Sequence, residues 1–429
     1  MPRNNIERIT AAIGSSVERL SPGKPLEARR LLLTAFRAYK LKLKFLPGKE
    51  LPPSKQYLGP ISMSCMIRPL AHPDRQVLTS IFTPSELFHA MGLFPMCAEQ
   101  FATYTNGAGA EHIFVEIAER AGIAETFCSY HKVVIGGAYS GVLPKPLAVV
   151  NTSLACDANN LTFRKASELL AAPQYYIDVP YNPSRDAVEY VADQLREMGS
   201  WLEDLSGIRI DEGKLKESVQ CSQRTIRTLR HIIPYRAQRY VPSELTAELY
   251  EVLMTHNALG LPETLKYAQL LLKDFESSKE QPGRKILWMH SNPFYQDVVK
   301  KTFNYKSDPW IALTEMCYDE LLPSREEDPY MAMAYRTVYN SFNGPVTRRA
   351  GKAVRMAKEI GADGVILFCH WGCKETCGGS AVIADALEEA GFPVLILNGD
   401  GVDSRNSSDG QVGTRLGAFL EMLGTDSHS

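Results

Sequence analysis

The stretch that decides the fold reads VILFCHWGCKETCGG and covers residues 365–379. Its first five residues, Val365 to Cys369, are apolar and are bounded by polar and glycine residues, a pattern typical of a strand buried on both faces of a parallel sheet. The loop that follows carries His370, Cys373 and Cys377, and we expect the next helix to begin at the Gly378-Gly379 pair. Ligands of open α/β sheets bind beyond the carboxyl ends of the strands. These side chains therefore mark where a cofactor would bind.

The composition of the 429-residue chain is that of a globular protein, with 45% hydrophobic and 22% charged residues. At about 150 residues per domain, two to three domains are expected. The formal charge of -2 argues against a nucleic-acid partner, which would require a clustered basic excess. Residues 1–20 lack the apolar core of a signal peptide, and no apolar run approaches the roughly 20 residues that span a bilayer. We therefore expect a cytoplasmic protein with no membrane segment.

The strands of this chain are expected to alternate with helices in two separate regions. The first region, residues 61–182, holds five strand candidates, at 77–82, 93–97, 133–135, 147–151 and 175–179. The second region, residues 281–429, holds four, at 286–290, 311–314, 365–369 and 394–398. This order predicts two doubly wound α/β domains with mostly parallel sheets. A helical N-terminal arm (residues 1–60) and a helical insertion (residues 183–280) complete the predicted organisation.

Nine cysteines, at positions 65, 97, 128, 156, 221, 317, 369, 373 and 377, are unlikely to form a disulfide framework in a reducing compartment, so metal-binding or catalytic thiols are the better interpretation. Several fall near strand ends. Cys97 closes a candidate strand, Cys156, Cys317 and Cys373 follow strands, and Cys128 precedes one. Two sheets whose strand ends face each other would bring these thiols into a cleft between the domains. Cys221 and Cys369 are expected to be packing residues, and the role of Cys65 stays open.

Two kinds of metal centre, zinc and an iron–sulfur cluster, are compatible with these cysteines. Cys373 and Cys377, spaced i, i+4, would share one helix face, and with His370 they form an ordinary zinc ligand set. Structural zinc sites, however, usually contain closely spaced cysteine pairs, and the chain has no C-x-x-C. Ligands scattered over distant segments favour an iron–sulfur cluster held across a domain interface.

Two acids flank the predicted cleft. Glu86 is explained by its place in the first turn of a helix, whereas Glu99 is either a proton-transfer group whose pKa is raised by burial or a solvated loop acid. No P-loop or dinucleotide fingerprint is present, since GGAYSG at 136–141 matches neither. Any ATP chemistry would have to come from a partner.

Five segments, taken in order, resemble the 2-hydroxyacyl-CoA dehydratase family, which also includes benzoyl-CoA reductase subunits and double-cubane cluster proteins. They are TPSELFHAMGLFP (83–95), FCSYHK (127–132), LACD (154–157), HWGCK (370–374) and ILNGDGVDSRN (396–406). The resemblance covers roughly residues 65–425. It implies tandem α/β domains with a [4Fe-4S] cluster between them, held by Cys128, Cys156 and Cys373. It also implies that the segment after Thr83, with Ser85, and the acid Glu99 face the substrate.

The resemblance further implies an ATP-dependent iron–sulfur activator protein, whose electron makes a ketyl radical of the acyl-CoA and expels the 2-hydroxyl. A homodimer, or a heterodimer with a homologous subunit, is expected as well. Three additional thiols, Cys97, Cys317 and Cys377, leave a second chemistry open. They would suffice for a double-cubane [8Fe-9S] cluster, which in similar proteins serves ATP-driven reduction of small molecules. A non-catalytic electron-transfer or structural metal-binding subunit is the third alternative.

Overall fold

Two four-stranded sheets, in which every strand pairing is parallel, organise the computed structural model, which describes residues 5–319 and 321–425. The strands of the first sheet are β1 (Gln76–Thr79), β2 (Phe94–Cys97), β3 (Ala148–Thr152) and β4 (Gln174–Ile177). Those of the second sheet are β5 (Lys285–Met289), β6 (Trp310–Thr314), β7 (Gly364–His370) and β8 (Val394–Gly399). Their orders are β2-β1-β3-β4 and β6-β5-β7-β8. Both sheets therefore reverse direction of winding after their first strand, which is the doubly wound arrangement, and the predicted fold class is confirmed.

Helices cover both sheets and fill the space between them. In chain order they are α1 (Asn5–Leu20), α2 (Pro25–Phe45), α3 (Pro53–Ala71), α4 (Glu86–Ala90), α5 (Ala98–Gly107), α6 (Glu111–Arg120), α7 (Ser129–Ser140), α8 (Asp157–Leu170), α9 (Arg185–Ser206), α10 (Glu212–Arg236), α11 (Leu245–Asn257), α12 (Pro262–Ser277), α13 (Asp297–Phe303), α14 (Pro329–Val338), α15 (Val346–Ile360), α16 (Lys374–Glu389) and α17 (Asp409–Thr425).

The N-terminal helices extend further than the sequence indicated. The loop signal LPGKELPPSK separates α2 from α3, but α3 then runs to Ala71 despite two internal prolines, Pro60 and Pro69. It packs against α2, α11 and α12. Burial of one helix among three others stabilises it beyond its own propensity.

A strand predicted at residues 133–135 is wrong, because these residues lie in the middle of α7. All of Val133, Val134 and Ile135 are fully buried, since α7 packs on α5, α6 and α8. A helix that is buried on all sides has the same unbroken apolar run as a buried strand, so periodicity cannot separate them. The helix after β7 was also misplaced: it begins at Lys374, not at the Gly378-Gly379 pair.

The helices α9 to α12, in the predicted insertion, pack on both halves of the chain. α9 contacts α14, α10 contacts α4, α14 and α15, and α11 contacts α3 and β2. One continuous hydrophobic core contains Leu78 of the first sheet, Leu229 of α10 and Val365 of the second sheet. The two sheets are thus held in a fixed relation by shared packing.

Candidate metal centre

The carboxyl ends of both sheets meet at one pocket of about 90 Å³, which we call the thiol pocket. Three of its lining residues follow strands of the first sheet and three follow strands of the second: Ile81, Glu99, Cys156, His290, Met316 and Cys373. Cys128, which lies between β2 and β3 in sequence, also lines it. The position fits the rule that ligands of doubly wound folds bind at the strand ends where the winding reverses.

Three of the predicted cluster ligands, Cys128, Cys156 and Cys373, line this pocket, and each is the residue immediately before a helix. Cys128 precedes α7, so its predicted place before a strand is corrected together with that strand. The positive end of a helix favours a thiolate. Burial acts in the opposite direction and raises the pKa of all three thiols, and the neighbouring Cys156 and Cys373 raise that of Cys128 further. Without a metal the thiols stay protonated, so metal binding would have to release protons.

Each of these three thiols has its own histidine. The distances from sulfur to Nε2 are 3.2 Å for Cys128 and His370, 3.6 Å for Cys156 and His131, and 3.7 Å for Cys373 and His290. Burial lowers the pKa of all three imidazoles, that of His131 to about 3. The pocket therefore combines three thiols with three neutral rings. His131 and His290 were not among the predicted site residues, although the first lies in FCSYHK and the second at the end of a predicted strand.

The tautomer of His370 follows from its second hydrogen bond. The Gly401 N–H donates to His370 Nδ1 at 2.9 Å, so Nδ1 carries the lone pair and Nε2 carries the proton of the neutral ring. Nε2 then donates to Cys128 Sγ, and neither nitrogen has a lone pair free for a metal. A zinc site that uses His370 as a ligand does not fit this arrangement.

Rare backbone conformations occur where the loop after β7 approaches Cys128. Gly372 has φ +79°, and a Cβ at this position would lie 2.5 Å from the Cys128 backbone nitrogen. Two other residues of the pocket, Ala155 and His290, have φ of +70° without being glycine. Such conformations cost of order 1–3 kcal/mol each and persist where the surrounding packing imposes them, often at functional sites.

Glu99 lines the same pocket. The side chain is partly buried, and desolvation raises its pKa to about 7. Its Oε2 atom has no hydrogen-bond partner among the described residues. A buried carboxyl group with a pKa near neutrality, in an otherwise largely apolar pocket, is suited to proton transfer.

The remaining predicted site residues do not line the thiol pocket. Cys97 Sγ accepts a hydrogen bond from the Gln100 N–H at 3.3 Å and caps α5. The exposed Cys377 donates to the His370 carbonyl at 3.3 Å. Ser85 is buried and lies immediately before α4. Its hydroxyl lies 3.0 Å from the carbonyl oxygens of His256 and Leu259. These hydrogen bonds give Ser85 a structural role, and its predicted contact with substrate stays a prediction.

Cys317 lies in a different cluster, in which it could share a metal ion with Glu248 and Glu251, because their ligand atoms lie within 4.8 Å of one another. Lys55 Nζ already lies 3.1 Å from Glu248 and 2.6 Å from Glu251, and Arg236 lies 3.1 Å from Glu251. Two cations thus balance two carboxylates in a buried network. A metal ion would have to displace Lys55, so the donor set fits an internal ion-pair network better than a metal site.

Comparison with known proteins agrees with the resemblance. Residues 80–423 match the family model described as 2-hydroxyglutaryl-CoA dehydratase, D-component. The chain belongs to this family. The matched residues include every strand of both sheets except β1. The prediction of an enzyme of the 2-hydroxyacyl-CoA dehydratase type is confirmed.

Two relatives illustrate the similarity of this family member to characterised enzymes. One is the (R)-phenyllactyl-CoA dehydratase alpha subunit of Clostridium sporogenes, 23% identical over 364 residues, which are 79% of this chain and 87% of the relative. The other is the lactoyl-CoA dehydratase subunit alpha of Anaerotignum propionicum, 26% identical over 382 residues, with 79% and 88% coverage. Among the described residues, no helix of this dehydratase family member is long and apolar enough to span a membrane.

Proposed function

We propose that this protein removes water from a 2-hydroxyacyl-CoA to form an enoyl-CoA, and that Cys128, Cys156 and Cys373 hold a [4Fe-4S] cluster for this reaction. The observation that carries the proposal is the convergence of these three thiols, each with a neutral histidine, on one buried pocket. Relatives whose names identify them as phenyllactyl-CoA and lactoyl-CoA dehydratases support the reaction class.

The donor set of the pocket fits such a cluster. Three thiols from separate segments, and no fourth cysteine among the described residues that line the pocket, leave one iron without a protein thiolate. His370 can donate an N–H to the Cys128 sulfur, as outer-shell partners of metal ligands do. When bound, the cluster would supply a low-potential electron and an open iron.

Glu99 would act as the general acid and base in this reaction. Because its carboxyl group has a pKa of about 7, it can donate a proton to the departing 2-hydroxyl group, which then leaves as water. The carboxylate that remains can take up the proton that C3 loses as the double bond forms, so Glu99 returns to its starting form. The largely apolar lining of the pocket, with Ile81, Phe82 and Leu253, would exclude bulk water and bind the acyl chain.

Two partners belong to the proposal. The chain has no P-loop, so the electron would come from a separate ATP-dependent iron–sulfur activator protein. The relatives are named as alpha subunits, which supports a heterodimer with a homologous second subunit.

The experiment that tests the proposal is the iron and acid-labile sulfide content per chain after anaerobic purification. Roughly four irons are expected. Cys128→Ser, Cys156→Ser and Cys373→Ser should each lose iron and dehydration, whereas the controls Cys97→Ser and Cys317→Ser should keep both. About eight irons, lost in the Cys97 and Cys317 variants, would favour a double-cubane reductase. Zinc in place of iron would contradict the proposal.

A further inference from the structure

Cys377 is the one exposed thiol of this chain. All nine cysteines lie within the described residues, and the other eight are buried or half-buried. Cys377 belongs to the first turn of α16, which begins at Lys374. The positive end of a helix favours a thiolate over a thiol, and an accessible thiolate is the form of cysteine that reacts with sulfur electrophiles. Small sulfur compounds in solution can therefore reach and react with Cys377.

A second thiol lies directly behind Cys377. Cys369, in β7, is 2% exposed, and the side chains of the two cysteines are hydrogen-bonded to each other. The Cys377 sulfur also lies 3.3 Å from the carbonyl oxygen of His370, the residue that follows Cys369. Because α16 packs on β7, the packing of these two elements holds the thiols together. Two thiols in contact meet the distance condition for a disulfide, which fails where cysteines are far apart or point apart.

These two thiols flank the segment that carries the predicted ligand Cys373. Neither Cys369 nor Cys377 lines the thiol pocket, so both are left without a role in the proposed metal centre. A disulfide between them would close residues 370–376 into a covalent loop. It would also remove the Cys377 proton, and with it the hydrogen bond to the His370 carbonyl.

We propose that Cys369 and Cys377 are a redox-active pair that forms a reversible disulfide by exchange with a low-molecular-weight disulfide. The exposed Cys377 thiolate attacks first and bonds to one sulfur of the small disulfide, whose other half leaves and takes up a proton as a thiol. The Cys369 thiolate then attacks the Cys377 sulfur and expels the second small thiol, which takes up the second proton. The protein pair loses two electrons, and the small disulfide gains them.

The order of attack follows from burial. Cys369 is inaccessible from solvent, so it reacts only with a sulfur that Cys377 has already brought next to it. Cys373 is the competing partner, because it lies one helical turn before Cys377 and shares its helix face.

The test is anaerobic incubation of the purified protein with oxidised glutathione, then alkylation of the remaining thiols and peptide mapping by mass spectrometry. The wild type should give a Cys369–Cys377 disulfide that dithiothreitol reverses. Cys369→Ser should stop at a mixed disulfide of Cys377 with glutathione, because the second thiol is missing. Cys377→Ser should leave Cys369 unmodified, because Cys369 is buried. The matched control is Cys221→Ser, which removes a half-buried thiol of α10 and should form the disulfide as the wild type does.

Four results would overturn the inference. The first is a wild-type protein in which Cys377 keeps its glutathione and Cys369 stays free. The second is a disulfide from Cys377 to Cys373, and the third is no reaction of Cys377. The fourth is loss of iron in Cys377→Ser, because a sulfur that binds iron is not free for exchange. The disulfide itself is read out without turnover, so its absence leaves the proposed dehydration untouched, and zinc in place of iron would contradict the cluster alone.

Discussion

His370 Nε2 lies 3.2 Å from Cys128 Sγ and joins the loop after β7 to the start of α7. Since Gly401 donates to Nδ1 of the same ring, the hydrogen bond runs from the imidazole to the sulfur. The thiol of one half of the chain is thereby oriented by a histidine of the other half.

Replacing His370 with Phe should weaken the metal centre without unfolding the protein. The ring shape is kept while the N–H donor to Cys128 is lost, and such outer-shell changes typically cost about 10–100-fold in metal affinity. Iron retention during titration with a chelator measures this. His231→Phe, on the exposed side of α10, is the control. Equal iron retention in both variants would show that the hydrogen bond is dispensable.

Gly372→Ala should distort the approach of the loop to Cys128. The new Cβ would meet the Cys128 nitrogen, and the positive φ adds strain, so the free energy of unfolding should fall by about 1–3 kcal/mol or more. Urea unfolding and iron content are the measurements. Gly378→Ala is the matched control, because open space surrounds that helical position and alanine favours a helix. A variant as stable as wild type would argue against the close contact.

Glu99→Gln should change how stability depends on pH. The folded-state pKa of Glu99 is raised to about 7 from 4.5, so the folded protein binds the extra proton, and stability is lost as pH rises between these values. The stability of the variant relative to wild type should therefore rise by roughly 3 kcal/mol from pH 4.5 to pH 8. Urea unfolding across this range tests it, with the exposed Glu389→Gln as the control. A stability difference between variant and wild type that does not change with pH would mean that the pKa of Glu99 is not raised. Dehydration should be lost in Glu99→Gln at every pH.

Lys55→Met should destabilise the buried ion-pair network. The substitution leaves Arg236 as the remaining cation in contact with this carboxylate pair among the described residues, and an uncompensated buried charge costs about 3–5 kcal/mol. Thermal or urea unfolding measures the loss, and the exposed Lys49→Met should change stability by less than about 0.5 kcal/mol. Unchanged stability of Lys55→Met together with tight divalent metal binding would identify the cluster as a metal site after all.

Ser85→Ala should lower stability and leave turnover intact. The hydroxyl contacts the carbonyls of His256, at the end of α11, and of Leu259, just after it. Leaving them without this donor costs about 1–3 kcal/mol. The measurement is the dehydration rate per iron-loaded molecule, alongside urea unfolding. A loss of rate at unchanged stability would support the catalytic role that the resemblance implies.

The sequence was informative wherever a few neighbouring residues decide the structure. The apolar run before His370 predicted β7, and turn residues separated the strands of both sheets. The same local patterns failed at residues 133–135, where burial on all sides removes the periodicity that separates a helix from a strand. They also gave no sign of the hydrogen-bond partners of Ser85, because these partners lie about 170 residues away along the chain.

What the sequence by itself determined is thus the α/β class, the order of the elements and, through five motifs, the family. Only the tertiary structure decided the surroundings of the three cysteines that the resemblance names as one ligand set. It placed Cys128, Cys156 and Cys373 at one pocket, directed Cys97 and Cys317 to other partners, and supplied a histidine to each pocket thiol. The physical reason is range: propensities and caps act within a few residues, whereas a shared site is built by the packing of helices and strands that are distant in sequence.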